Sequence, residues 1–259
     1  MSAVQVSRDG PVATVTLCRP EVRNAFNEEV IALLAQAFMA LRDQEGLRVV
    51  VLQGEGPTFC AGADLEWMRR AASWSEEENR RDALALASML RLVATFPRPV
   101  VARVQGGAYG GGVGLIAAAD LAIAAEDAQF AFTEVRLGLA PATISPYVIE
   151  KIGPAWARRL FLTGEPISAR RAYELGLLYR IVPPAELDAA VAETVRAILQ
   201  GGPQAQAACK ELVARVAADP SPQVDEYTSR LIAQLRAGEE GKEGVQAFLE
   251  KRAPRWRHV

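Results

Sequence analysis

Histidine is almost missing from this sequence: His258, one residue from the end, is the only one among 259. A Ser-His-Asp triad, a Cys-His pair or a histidine-ligated metal would each have to be built on that terminal residue, which argues against all three. Acid–base work is left to carboxylates, lysine, tyrosine or water. Cysteine is scarce as well. Cys18, Cys60 and Cys209 are odd in number and far apart, and fit neither a disulfide framework nor a metal-ligand spacing. They are expected to be small buried hydrophobes in a reducing compartment. No apolar run approaches the roughly 20 residues of a membrane span. The opening "MSAVQVSRDG" lacks the basic-then-apolar pattern of a signal peptide. An excess of either charge is lacking too: 29 Lys and Arg stand against 31 Asp and Glu, with no basic stripe, which argues against nucleic-acid binding. These absences lead us to expect a cytoplasmic protein with neither a membrane nor a nucleic-acid partner.

The chain does have a strong alternation of strand and helix patterns. "VQVSRD" and "VATVTL", joined by Gly10-Pro11, read as a hairpin. Asn27 can cap a helix in which Val30, Ile31, Leu34, Ala37, Phe38 and Leu41 recur at helical spacing, with Gly46 as its stop. "LRVVVLQ" is apolar throughout, as in a strand buried on both faces. After the loop "GEGPTFCAGAD", Asp64 can cap a short helix, and Ser75-x-x-Glu78 opens a long one running to about Leu92. "VVARV" and "LAIAAE" are further strands on either side of a helix ending near Ala119. Helices are expected at Ser145–Lys151, Pro154–Leu162 and Ser168–Leu175, and from Leu187 the pattern is wholly helical. This predicts an α/β fold with a helical C-terminal extension, divided into residues 1–190 and 191–259.

The most unusual stretch is "GGAYGGGVGLIAAAD", Gly106 to Asp120. Within it Gly112-Val113-Gly114-Leu115-Ile116-Ala117 reads G-x-G-x-x-A, a form of the dinucleotide-binding fingerprint. That reading requires an acidic residue roughly 20 residues further on. Glu126 and Asp127 come only 12 and 13 residues after Gly114, too soon for an ordinary crossover helix. The fingerprint also belongs in the first βα unit, and here other strands and helices precede it. Tight packing alone would explain one or two glycines. Amide presentation explains more: Gly110-Gly111-Gly112 leads directly into a helix, so its N–H groups stand at the positive end of a helix dipole. The second glycine loop, "TFCAGADL", also joins a strand to a helix. There Gly62 permits close approach and Ala63 offers an N–H beside a mere methyl. Two such amides could converge on one carbonyl oxygen.

"RNAF", "FCAGADL", "VQGGAYGGGVGL", "FAFTEVRLGLAP" and "FLTGEPISARRAYELGLL" together resemble the crotonase superfamily, the enoyl-CoA hydratases and isomerases. The resemblance runs from Val12 to the "AFLEKRAPRW" tail. It implies a crotonase-type spiral of ββα units, assembled as a homotrimer or a dimer of trimers, whose C-terminal helices help cover the site. The implied ligand is an acyl-CoA thioester, with coenzyme A part of the substrate and no further cofactor or metal. By position, Ala63 and Gly111 match the residues whose N–H groups hold the thioester oxygen. Gly62 and Gly110 belong to the same two loops. Ala25, Ala61, Asp64 and Leu65 match positions around the CoA adenine and pantetheine. Lys251 matches a tail region that can reach CoA phosphates from a neighbouring subunit.

The family's hydratases usually carry two glutamates, and this chain has one. Glu134 is present in "FAFTEVRLG"; Gly114 occupies the other position. Two preorganised amides can still stabilise a thioester enolate while one carboxylate moves protons, provided burial raises its pKa toward neutrality. A lone glutamate also occurs in Δ3,Δ2-enoyl-CoA isomerases, and a non-catalytic CoA-ester-binding protein is a third reading. "ADLEWMRRAASWSEEEN", "GGGVGL" and "EVRLGLAPATISPYV" more narrowly resemble bacterial 3-methylglutaconyl-CoA hydratases of leucine breakdown, which favours hydration of a branched, acidic enoyl-CoA. The distal carboxylate of such a substrate would want a cation, and Arg69, Arg70 and Arg136 are the candidates.

Overall fold

The computed structural model describes residues 2–218, 221 and 223–258. Strands β1 (Val4–Asp9) and β2 (Val12–Leu17) form the expected antiparallel hairpin, with Val4 facing Leu17 and Asp9 facing Val12. Helix α1 (Glu28–Arg42) begins where Asn27 Oδ1 accepts the Val30 N–H at 2.9 Å, and all six residues of its predicted apolar stripe are buried. Strand β3 (Val49–Gly54) follows. Helix α2 (Leu65–Ala71) is capped by Asp64, and α3 (Glu76–Ala94) is opened by the Ser75–Glu78 capping box.

From here the chain deals its strands alternately to two sheets. Strand β4 (Val100–Val104) goes to the larger and β5 (Gly107–Tyr109) to the smaller, before helix α4 (Gly111–Ala118). Strand β6 (Leu121–Ala125) returns to the larger and β7 (Gln129–Ala131) to the smaller, before α5 (Ser145–Thr163). The two helices expected in that region are both present within α5 and meet at a kink at Gly153, whose φ of 74° and ψ of 161° leave the helical region just before Pro154. Then come β8 (Ile167–Ser168), α6 (Ala169–Glu174), β9 (Arg180–Val182) and α7 (Leu187–Leu199). Helices α8 (Pro203–Ala218), α9 (Gln223–Ala237) and α10 (Glu239–Leu249) close the chain. No described helix is long and apolar enough to cross a membrane.

The larger sheet runs β1-β2-β3-β4-β6-β9 and is parallel beyond the first pair. The smaller runs β5-β7-β8 and is extended by two single rungs, Cys60 with Ala108 and Phe26 with Ala63. This is a spiral of ββα turns, the expected fold class. The main core lies between the larger sheet and α1, α3, α4 and α5. A second core on the sheet's other face joins Val49, Val51, Val101 and Ile123 to Leu187, Val191 and Val195 of α7. Full burial of each such side chain is worth about 1.5–3 kcal/mol, so α7 is firmly held. The boundary expected between 190 and 191 falls inside this helix, and the helices beyond it are attached more lightly. No described residue of α8 or α9 is buried. Their layer is pinned by polar contacts, among them Lys210 Nζ to Asp120 Oδ2 at 2.6 Å and Arg48 to the Trp256 carbonyl at 3.3 Å.

Cys60 is fully buried, as expected, and burial pushes its thiol up to about 12. Cys209, also expected to be buried, is instead exposed on α8, because that helix has no core face to hide it. The side chain of His258 lies outside the described groups.

Candidate active site

The site grows out of the two single rungs. Phe26 donates its N–H to the Gly62 carbonyl at 2.7 Å, and its own carbonyl accepts the Asp64 N–H at 2.8 Å. In a parallel bridge the residue between two such partners turns its amide to the other side, so the Ala63 N–H faces away from Phe26. Among the described residues it has no protein acceptor. Gly62 is required twice over: its φ is +89°, and a β-carbon there would stand 2.8 Å from the Tyr109 carbonyl oxygen. The loop carrying Ala63 is thereby laid against the strand leading to Gly110.

That strand is locked from both sides, by Tyr109 N–H to Cys60 O and Gly110 N–H to Ala131 O, each 3.0 Å. Gly110, with φ +48°, turns the chain into α4, and Gly111 is the first helical residue. The first N–H groups of a helix have no acceptor within it, and the Gly111 N–H has none elsewhere among the described residues. Phe26 links the two amides. Its backbone fixes Ala63, and its ring Cδ2 lies 3.1 Å from where a β-carbon on Gly111 would be.

Glu134 completes the group. It starts a 3-10 turn, Glu134–Leu137, just beyond β7. Its Oε1 lies 3.0 Å from the position of a β-carbon on Gly110, so the carboxyl group rests on the glycine that opens α4. Oε2 is buried and has no hydrogen-bond partner among the described residues. Burial raises the carboxyl pKa, an effect that a hydrogen bond from the residue's own amide only partly offsets. Chemically, two outward amides can hold one anionic oxygen, and a carboxyl with a raised pKa can give and take a proton beside it.

Three residues that the sequence did not single out hold this arrangement. Besides Phe26, they are Asn24 and Arg19. Asn24 is 1% exposed; its Oδ1 accepts the Arg19 N–H at 2.9 Å, and its Nδ2 donates to the Glu55 and Thr58 carbonyls at 2.8 Å each. Arg19 donates from Nη1 to the Ala25 carbonyl and from Nη2 to Asp64 Oδ2, both at 2.8 Å. Asn24→Ala leaves three backbone groups without their partner and puts alanine at a φ of 57°. It should cost about 2–4 kcal/mol, readable as a lower denaturation midpoint. A midpoint equal to that of the unaltered protein would contradict the strut.

The other candidates divide clearly. Ala61 gives its N–H to the Arg23 carbonyl. The Ala25 carbonyl is engaged by Arg19. Asp64 caps α2 through Glu66 and Trp67 and receives Arg19; burial opposes its ionisation, but these bonds outweigh burial and keep its pKa below the usual range. Its carboxylate is thus committed to holding the loop. Leu65, at 76% exposed, is free to meet a ligand. Gly114 is buried inside α4. Lys251 is exposed beyond α10, which packs on α8 and α9. Of the arginines, Arg69 pairs with Glu66, Arg70 grips both oxygens of Glu28 at 2.7 Å, and Arg136 has no ion pair among the described residues. No group of acidic, histidine or cysteine residues among those described could hold a metal ion.

The family model described as enoyl-CoA hydratase/isomerase matches residues 7–258. The chain belongs to that family. A solved enoyl-CoA hydratase from Shewanella pealeana is 40% identical, with a TM-score of 0.95 over 98% of this chain and 96% of that one. A curated relative from Thermus thermophilus, described provisionally as an enoyl-CoA hydratase, is 38% identical over 98% of this chain and 100% of its own. A carnitinyl-CoA dehydratase from Salmonella typhi is 31% identical over 98% of both. The fold is therefore the crotonase fold and the protein is an enzyme, a hydro-lyase of the enoyl-CoA hydratase family. Acyl-CoA is the substrate class consistent with that family.

Proposed function

We propose that the enzyme adds water reversibly across the double bond of an α,β-unsaturated acyl-CoA, with Ala63, Gly111 and Glu134 as its working groups. The observation carrying this reading is the Glu134 carboxyl resting on Gly110, directly before a helix whose first N–H has no acceptor among the described residues. The Ala63 and Gly111 amides bind the thioester oxygen. As water adds at the β-carbon, negative charge moves onto that oxygen, where both amides meet it. Glu134 guides the water and carries a proton between it and the α-carbon. Lys251 would meet CoA phosphates across a subunit contact in a homotrimer or dimer of trimers, and the reaction would run in the cytoplasm.

The acyl group we assign is branched and acidic, of the 3-methylglutaconyl-CoA type. Support comes from the narrower motif resemblance and from Arg136, a cation two residues beyond Glu134 with no ion pair among the described residues. Loss of enoyl-thioester absorbance should be faster with 3-methylglutaconyl-CoA than with crotonyl-CoA. Arg136→Ala should raise KM for the acidic ester alone. Preference for crotonyl-CoA, or for the carnitinyl ester named in the Salmonella relative, would overturn the assignment of acyl group.

A further inference from the structure

Gly114 has no backbone reason to be glycine. It lies in the second turn of α4 without a positive φ, and glycine is unfavourable in a helix interior. The reason is Ile144. A β-carbon on Gly114 would collide with the Ile144 γ2-methyl and stand only 2.6 Å from its β-carbon. Rotating χ1 would move the methyl and leave the β-carbon in place, so no rotamer of Ile144 clears the space. Ile144 is itself 2% exposed and stands at the start of α5, accepting the Val148 N–H at 3.2 Å. It cannot swing into solvent.

Direction makes this contact matter for the chemistry. Helical side chains lean toward the helix N-terminus. A side chain at 114 would lean toward Gly110, one turn earlier and bonded to Gly114 at 3.2 Å. Gly110 is the residue on which the Glu134 carboxyl rests. A hydrocarbon at the N-cap of α5 therefore fills the approach by which an acid group on α4 would face Glu134.

We propose that Ile144 is the residue that holds the site to a single carboxylate, by occupying the space a side chain on 114 would need. This rests on the role given to Glu134 above. Four variants test it, by melting temperature and by the pH dependence of kcat/KM for hydration. Gly114→Glu alone should lower Tm by about 5–10 °C, as overpacking does in a protein of this size. Combining it with Ile144→Gly should bring Tm back above that of the single Gly114→Glu variant. Ile144→Ala keeps the obstructing β-carbon and should rescue less. In the Gly114→Glu/Ile144→Gly protein the pH profile should gain a second ionisation that the unaltered enzyme and Ile144→Gly alone do not show. Gly114→Glu melting with the unaltered enzyme, equal rescue by alanine and glycine, or a restored Tm with a single ionisation would each overturn the proposal. Should the unaltered enzyme hydrate no enoyl-CoA, the functional reading fails, and the melting temperatures still decide whether Ile144 occupies this space.

Discussion

Glu134→Gln should lower kcat for enoyl-CoA hydration by about 10²–10⁴-fold, the usual contribution of a positioned proton carrier. KM should change little, because glutamine keeps the shape of the side chain resting on Gly110. The same variant carries a stability signature. Burial raises the Glu134 pKa above the ordinary glutamate value in the folded protein. Between the ordinary value and the raised one, the folded chain holds a proton that the unfolded chain has released. This group's contribution to stability therefore falls as pH rises through that window. Glutamine removes the penalty, so Glu134→Gln should melt higher than the unaltered enzyme above the window, and the difference should shrink as pH falls through it. Thermal melts across pH give that difference directly. Kinetics close to those of the unaltered enzyme would remove Glu134 from the mechanism.

Gly111→Pro should cost about 10²–10³ in kcat, the usual loss when one oxyanion donor is removed. Proline is tolerated at the first helical position because its missing N–H has no helical acceptor there. Gly111→Ala is the control. Its methyl would meet the Phe26 ring at 3.1 Å, which demands a shift of a few tenths of an ångström and keeps the N–H. Steady-state kinetics should show proline far below alanine. If both variants lose activity equally, crowding against Phe26 accounts for the loss and the donor assignment fails.

What could be read from the sequence followed from local rules. Asn27, Ser75 and the stripe Val30 to Leu41 announced α1 and α3 because caps and helical periodicity need no distant partner. Strands β5, β7, β8 and β9 span two or three residues each, too few to show alternation, and went unassigned. The smaller sheet was hidden for the same reason: its rungs join Phe26, Cys60, Ala108, Phe130 and Ile167 from remote segments. In the site, the glycine loops drew attention to the Ala63 and Gly111 amides, and the family resemblance matched both to the thioester oxygen and added Glu134. Nothing local marks Asn24 as a buried strut or Ile144 as the neighbour of Gly114. Each role exists only once two distant loops meet. Arg69 and Arg70 looked like free cations until Glu66 and Glu28 came beside them.

Water adding to an enoyl thioester at a site with one carboxylate is the central claim. Turnover of an α,β-unsaturated acyl-CoA in oxygen-18 water tests it most directly, with the product's acyl chain analysed by mass. The expected result is one heavy oxygen at the β-carbon of each product molecule, and none above background with Glu134→Gln over the same time. A product isomeric with the substrate and free of label would contradict it, assigning Glu134 instead to moving a proton between carbons.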